Sequence, residues 1–105
     1  MLRIYEVMLE VLRSSRGAIA QIEKHDSDLA RQMRRAGTSV TLNLAEGSGS
    51  CAGIRRARYR SALGSAREVV ACLESAEALG YIEGSDARII AGLRHVINVL
   101  VHIVV

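Results

Sequence analysis

The sequence predicts an all-α protein on three observations. The strong helix formers Ala, Leu, Arg and Glu recur throughout, no proline interrupts them, and apolar residues repeat every three or four positions. Half of the 105 residues are hydrophobic, so a single domain over residues 1–105 can bury its own core. We therefore predict an antiparallel up-and-down four-helix bundle.

The first two helices are predicted from apolar stripes. Residues about 2–23 form the first helix, which ends near the segment EKHDSD. Asp26 or Ser27 can cap the second helix, about 27–46, because a side-chain oxygen accepts hydrogen bonds from free backbone amides. Its apolar stripe consists of Leu29, Met33, Ala36, Val40 and Leu44. We expect this helix to stop at Gly47, before the flexible segment GSGSCAG.

The last two helices are predicted over about 54–79 and 85–104. Gly80 is the expected left-handed stop between them, since glycine adopts positive φ without strain. The fourth helix is apolar on nearly every side, with the stripe Ile90, Leu93, Ile97, Leu100 and Val104 and further apolar residues beside it. Either it is a deep core helix or another subunit covers part of it, and we expect a homo-oligomer.

Two polar residues stand at the end of the second helix. Asn43 occupies a position that heptad spacing assigns to the core, and Glu46 and Gly47 follow it. A buried polar side chain needs hydrogen-bond partners. We expect an arginine of the third helix to pair with Glu46 and backbone groups of the adjoining loop to bind Asn43, so that this polar motif fixes the packing register.

These residues also carry a family resemblance. The segments QMRRAGTSVTLNLAEGSGS and GSAREVVACLESAEALGYI resemble the four-helix-bundle family named after the 23S ribosomal RNA intervening sequence protein. The matching residues are Gln32, Arg34, Arg35, Ala36, Asn43, Ala45, Glu46, Gly47, Gly64, Ser65, Glu68, Leu79, Gly80 and Tyr81. Thr41 stands where that family usually has proline.

The resemblance implies an antiparallel four-helix bundle that assembles into rings, often pentamers. It also implies a relation in fold to the accessory variability determinant of diversity-generating retroelements, a basic pentamer that binds reverse transcriptase and nucleic acid.

Arginine dominates the basic residues, since it accounts for thirteen of fourteen. Guanidinium groups favour forked recognition of phosphate or carboxylate. The candidate nucleic-acid-binding residues are Arg31, Arg34, Arg35, Arg55, Arg56, Arg58 and Arg60. The alternative is that they pair with acids such as Glu6, Glu10 and Glu46. With a net charge of only +3 and three tyrosines, binding would be directed at the nucleic-acid backbone and sensitive to salt.

Catalytic, metal and cofactor sites find little support in the sequence. His95 and His102 lie about 10.5 Å apart along a helix, too far to share a metal ion. Cys51 and Cys72 are separated by roughly 28 Å on the predicted helix, so they are expected to be free thiols. The segment RIIAGLRH places six residues between Arg88 and His95, a weak match to the signature of helical HEPN ribonucleases.

The sequence thus predicts a non-enzymatic, cytoplasmic scaffold without cofactor or metal, forming a homo-oligomer, with a pentamer implied by the resemblance. Its expected partners are RNA, DNA or a nucleic-acid-processing protein. No membrane insertion is expected, because the N-terminal segment is charged and the last segment carries Arg94, His95, Asn98 and His102. The alternatives are a purely structural homo-oligomer and a HEPN-like ribonuclease.

Overall fold

The computed structural model describes residues 2–105, so only Met1 of the predicted domain lies outside it. Within this range the chain forms five helices: α1 (Ile4–Ser14), α2 (Arg16–His25), α3 (Ser27–Ser48), α4 (Ala52–Ala78) and α5 (Ala87–Val104). None of the described residues forms a strand, which confirms the all-α class.

The predicted first helix is divided into α1 and α2 at Ser15. The buried Ser15 hydroxyl donates to the carbonyl oxygen of Val11 at 2.6 Å. Backbone hydrogen bonds continue on both sides, from Ser15 N to Val11 O and from Ile19 N to Ser15 O, each 2.9 Å long. A serine that bonds back to the preceding turn often bends a helix, so the prediction of one uninterrupted helix over 2–23 was wrong at this residue.

The helix ends follow local capping rules. Asp26 Oδ1 accepts a hydrogen bond from Leu29 N at 2.9 Å, which confirms the predicted cap of α3. Asp86 caps α5 in the same manner, with 2.8 Å between its Oδ1 and Arg88 N. Gly80 has a φ of 76°, as predicted, and Tyr81 N donates to Ala76 O at 2.9 Å. This contact satisfies a carbonyl at the end of α4 and turns the chain toward α5.

The helices pack around one core. α3 lies along α4, α4 also contacts α5, α5 contacts α1, and α1 and α2 both contact α3. Two glycines permit close approach of neighbouring helices to α1. A Cβ on Gly37 would lie 2.7 Å from Leu12 Cδ2, and a Cβ on Gly92 would overlap the Val11 side chain.

Helix α5 buries three residues of the predicted stripe, Leu93, Leu100 and Val104, and replaces Ile90 and Ile97 with Ile89 and Val96. Its buried residues are Ile89, Leu93, Val96, Leu100 and Val104. Ile90 and Ile97 are half-buried, while Ile103 is exposed. By length and composition alone α5 could cross a membrane, with a mean hydropathy of 1.5 and 28% of its residues buried in the protein. Core helices of soluble proteins meet the same criteria, so these properties do not assign α5 to a membrane.

Candidate nucleic-acid interface

Helices α3 and α4 run antiparallel and meet along a line of polar side chains. Ser39 Oγ lies 2.8 Å from Ser65 Oγ, and Glu46 Oε2 lies 3.1 Å from Arg58 Nε. We call this line the α3–α4 seam. It consists of Gln32, Arg35, Ser39, Asn43 and Glu46 on α3 and Arg58, Ser65 and Glu68 on α4.

Asn43 is satisfied within its own helix. Its Nδ2 donates to the Ser39 carbonyl oxygen at 2.9 Å and to Ser39 Oγ at 3.1 Å. The side chain is half-buried and bonds one turn back along α3. The expectation that loop backbone groups would bind it was therefore wrong, because a helical amide reaches the preceding turn more easily than a loop beyond the helix end.

Glu46 is more exposed than expected. Its side chain is 54% accessible and that of Arg58 is 48% accessible. The prediction that an arginine of the following helix pairs with Glu46 is confirmed, but the contact is a single ion pair at the surface. Since α3 turns Glu46 away from the core, the carboxylate remains partly hydrated and needs no complete set of protein partners.

Gly47 lies inside α3, which continues to Ser48. A Cβ at Gly47 would meet Tyr59 Cε1 at 2.6 Å and Cδ1 at 2.9 Å. Tyr59 is buried, so its ring cannot move aside freely. Gly47 is thus required by the packing of a tyrosine ring against α3, and the helix ends one residue later than predicted, at Ser48.

A cavity of about 290 Å³ opens at one end of the seam. It is lined by Gln32, Arg35, Ala36, Ser39, Ser65 and Glu68. Arg35 and Glu68 share this cavity, yet they form no ion pair within 4.0 Å, and neither has another ion-pair partner among residues 2–105. The cavity therefore presents a cationic and an anionic group that are both open to an occupant.

All seven arginines of the candidate nucleic-acid surface are exposed. Three of them pair with carboxylates: Arg31 with Asp28 at 2.5 Å, Arg34 with Glu23 at 3.2 Å and Arg58 with Glu46 at 3.1 Å. These exposed pairs are each worth about 0–1 kcal/mol, so an incoming phosphate can compete for the guanidinium.

Arg55 and Arg56 hold the ends of neighbouring helices. Arg55 donates to Gly47 O at 3.3 Å and to Ser50 O at 2.9 Å, beside the last turn of α3. Arg56 donates to Val104 O at 3.0 Å, at the end of α5. Carbonyl oxygens at a helix C-terminus carry partial negative charge. Both arginines therefore stabilise helix ends that lie beside the start of α4.

Backbone carbonyls do not cancel the charge of a guanidinium. Arg55 and Arg56 keep their net positive charge, and Arg60 has neither an ion pair nor a side-chain hydrogen bond within the described chain. We call Arg55, Arg56 and Arg60 the α4 arginine cluster. It places three cations, with no carboxylate partner among residues 2–105, in the first three turns of one helix.

The remaining chemistry-bearing residues are dispersed. Cys51 is exposed and Cys72 is buried, and both are free thiols, as predicted. Arg88 binds Asp86 through Nη2 and Oδ2 at 3.1 Å, and its guanidinium holds the pKa of that carboxyl below the usual range. Within residues 2–105 no three His, Cys, Asp or Glu side chains gather in a group that could hold a metal ion.

The family comparison agrees with the motifs along the seam. The family model described as 23S rRNA-intervening sequence protein matches residues 2–102. The chain belongs to this family. A search of curated proteins and a search of solved structures each gave no match, so the relation to the retroelement determinant stays a prediction.

The seam collects motif residues that are distant along the sequence. Six residues of the seam match the family motifs: Gln32, Arg35, Asn43, Glu46, Ser65 and Glu68. The sequence reasoning did not assign Ser39 to the polar motif, although Ser39 bonds both Asn43 and Ser65. Its spacing of four residues from Asn43 was the available signal, because residues i and i+4 are neighbours on a helix.

Proposed function

We propose that this member of the 23S rRNA-intervening sequence protein family is a non-enzymatic scaffold that binds the phosphate backbone of RNA or DNA through the α4 arginine cluster. In this proposal α1 and α2 act as one rod bent at Ser15, and with α3, α4 and α5 they make an antiparallel up-and-down four-helix bundle. Copies of the bundle assemble into a ring, with a pentamer as the expected form.

The observation that carries the proposal is the uncompensated charge at the start of α4. Arg55, Arg56 and Arg60 are exposed and have no carboxylate within ion-pair distance among the described residues. The two backbone-bonded arginines are also held in defined positions, which lowers the entropy lost when a phosphate binds. In a ring this cluster is repeated in every subunit, so individually weak phosphate contacts reinforce each other.

Exposed apolar side chains support self-association. The large ones are Leu42, Ile54, Leu79, Ile103 and Val105. On α5, Ile103 and Val99 line an apolar groove together with Asn98 and His102. Burial of apolar surface is the main favourable term in most protein association, so we assign this side of α5 to a subunit contact.

The nucleic-acid proposal is tested by retention of structured RNA in a mobility-shift titration at several salt concentrations. The triple variant R55Q/R56Q/R60Q should bind more weakly. For a duplex, its slope of log K against log salt should be shallower by about 2.7, because three phosphate contacts are lost. The double variant R55K/R56K keeps the charge but loses the hydrogen bonds that position these side chains, so it should bind more tightly than the triple variant and keep the salt dependence of the unmodified protein. R13Q, on α1, is a control for an exposed arginine that is already paired with a carboxylate, that of Glu10.

Unchanged RNA binding by the triple variant, with its helical circular dichroism intact, would refute the assignment of the α4 arginine cluster. Light scattering tests the ring separately. A pentamer has five times the 11.4 kDa protomer mass, whereas a dilute sample at the protomer mass would refute self-association.

The alternative is a purely structural homo-oligomer in which these arginines pair with acids of another subunit. The three carboxylate pairs of Arg31, Arg34 and Arg58 favour it. In that case R55Q/R56Q/R60Q would lower the mass of the oligomer. Neither the unmodified protein nor the triple variant would retain nucleic acid. Ribonuclease activity finds less support, since Arg88 is engaged by Asp86 while His95 stands exposed on the same helix.

A further inference from the structure

We propose that the cavity of the α3–α4 seam binds an unpaired guanine base. This inference rests on the proposed nucleic-acid function and states which base the protein recognises. The α4 arginine cluster would hold phosphates, and the cavity would hold a base from a single-stranded segment. Sequence-specific recognition of RNA generally targets such unstacked bases.

Glu68 excludes a phosphate from the cavity. An ionised carboxylate only accepts hydrogen bonds and repels an anion. The exposed Glu68 side chain lines the cavity and has no ion pair within residues 2–105, so an occupant that supplies N–H donors binds it best. Guanine supplies two adjacent donors, N1–H and the N2 amine, in the geometry that a carboxylate accepts. Adenine and cytosine each offer one amine there, and uracil offers one imide.

Arg35, on the α3 side of the cavity, requires hydrogen-bond acceptors from an occupant. A guanidinium only donates hydrogen bonds, and Arg35 has no carboxylate or carbonyl partner among the described residues. Guanine O6 and N7 are its most frequent bidentate acceptors among the bases. One base therefore satisfies both open charges, with its donor edge toward Glu68 and its acceptor edge toward Arg35.

The lining supplies a further donor. Ser39 Oγ accepts from Asn43 Nδ2, and one hydroxyl of the Ser39–Ser65 pair donates to the other. Whichever serine donates in that pair, the hydroxyl hydrogen of the other has no partner in the seam. The serines thus offer one O–H to an occupant, between the acceptor Glu68 and the donor Arg35.

The size of the cavity favours a base over a larger ligand. Pockets for drug-sized molecules occupy about 300–1,000 Å³. The cavity here, about 290 Å³, lies just below that range and contains the small side chain of Ala36 in its wall. A purine base with adjoining water molecules suits this space.

The test uses short oligouridine RNAs that carry one central guanosine, inosine, 7-deazaguanosine or adenosine, with affinities measured by fluorescence anisotropy. Inosine lacks the N2 amine, and 7-deazaguanosine lacks the N7 acceptor. For the unmodified protein, adenosine and both guanosine analogues should each bind about tenfold more weakly than guanosine, as expected for losing a hydrogen bond to a charged group.

Two variants test which protein side chain contacts each edge of the base. E68Q should remove the difference between guanosine and inosine, and R35Q should remove the difference between guanosine and 7-deazaguanosine. E74Q and R67Q are matched controls, because these exposed α4 residues carry the same charges and lie outside the cavity. Both controls should keep the full guanosine preference.

Equal affinity for the guanosine and adenosine RNAs would overturn the guanine assignment, and so would a preference for guanosine over inosine that survives in E68Q. Oligouridine alone separates this result from the phosphate proposal, since its binding depends only on the α4 arginine cluster. If no RNA is retained, titration with guanosine 5′-monophosphate followed by amide shifts at Ser65 and Glu68 tests the cavity directly. No shift at those residues would also overturn the inference.

Discussion

The hydroxyl oxygens of Ser39 and Ser65 lie 2.8 Å apart and join α3 to α4 by a hydrogen bond. Asn43 Nδ2 donates to the same Ser39 oxygen at 3.1 Å, so three polar side chains form one network. A one-turn slip of either helix would leave these groups unpaired. The network thereby fixes which residues of α3 and α4 face the cavity.

Replacing Ser65 with alanine should lower the free energy of unfolding by about 1 kcal/mol, because Ser39 loses its partner on α4. Chemical denaturation followed by circular dichroism measures the change. S61A is the matched control, since Ser61 is exposed on the same helix. An equal effect of both substitutions would contradict the role of the serine pair.

Gly47→Ala should destabilise the protein by about 1–3 kcal/mol, since the added Cβ overlaps the buried ring of Tyr59. Gly64→Ala should instead stabilise it by up to about 1 kcal/mol. Gly64 lies inside α4 with open space around its Cβ, and alanine is the better helix former. Thermal melts of the two variants should therefore shift in opposite directions.

Glu46→Gln should change the free energy of unfolding by less than about 1 kcal/mol, because the ion pair with Arg58 is half exposed. The difference should shrink further at high salt. A loss of several kcal/mol, measured by urea titration at low and high salt, would mean that Glu46 behaves as a buried charge.

The two thiols should differ in reactivity. Cys51 is exposed, whereas burial raises the pKa of the Cys72 thiol, and the nearby Glu68 carboxylate raises it further. A raised pKa leaves less thiolate at a given pH, so Cys72 should react about tenfold or more slowly than Cys51. Titration with Ellman's reagent at mildly alkaline pH should show one rapid thiol and a second after unfolding. C51S should abolish the rapid phase.

Much of the fold followed from local sequence rules. The apolar repeats predicted the helical segments because a 3.6-residue period directs every third or fourth side chain to one face. Asp26 and Gly80 were identified correctly, since a cap and a left-handed turn depend on a few neighbouring residues. The α1–α2 division was missed because it depends on the orientation of one buried hydroxyl, that of Ser15.

The site was less predictable. Motif spacing marked Asn43 and Glu46 as unusual, but their burial depended on how α3 is rotated against α4, which the sequence does not state. The same rotation places Ser39 opposite Ser65 and brings Arg35 and Glu68 to one cavity. The contact from Arg56 to Val104 spans 48 residues, and its prediction required the packing of α4 on α5.

The polar seam lies entirely on the hairpin of α3 and α4, while α1 and α2 contribute apolar packing from outside it. The α3–α4 hairpin and the pair α1 and α2 can therefore diverge at different rates among relatives. We expect the sequences of α1 and α2 to vary among relatives as long as the apolar repeat persists. We expect the polar residues of the α3–α4 hairpin to be retained together. Transplanting that hairpin between family members should carry any ligand preference with it.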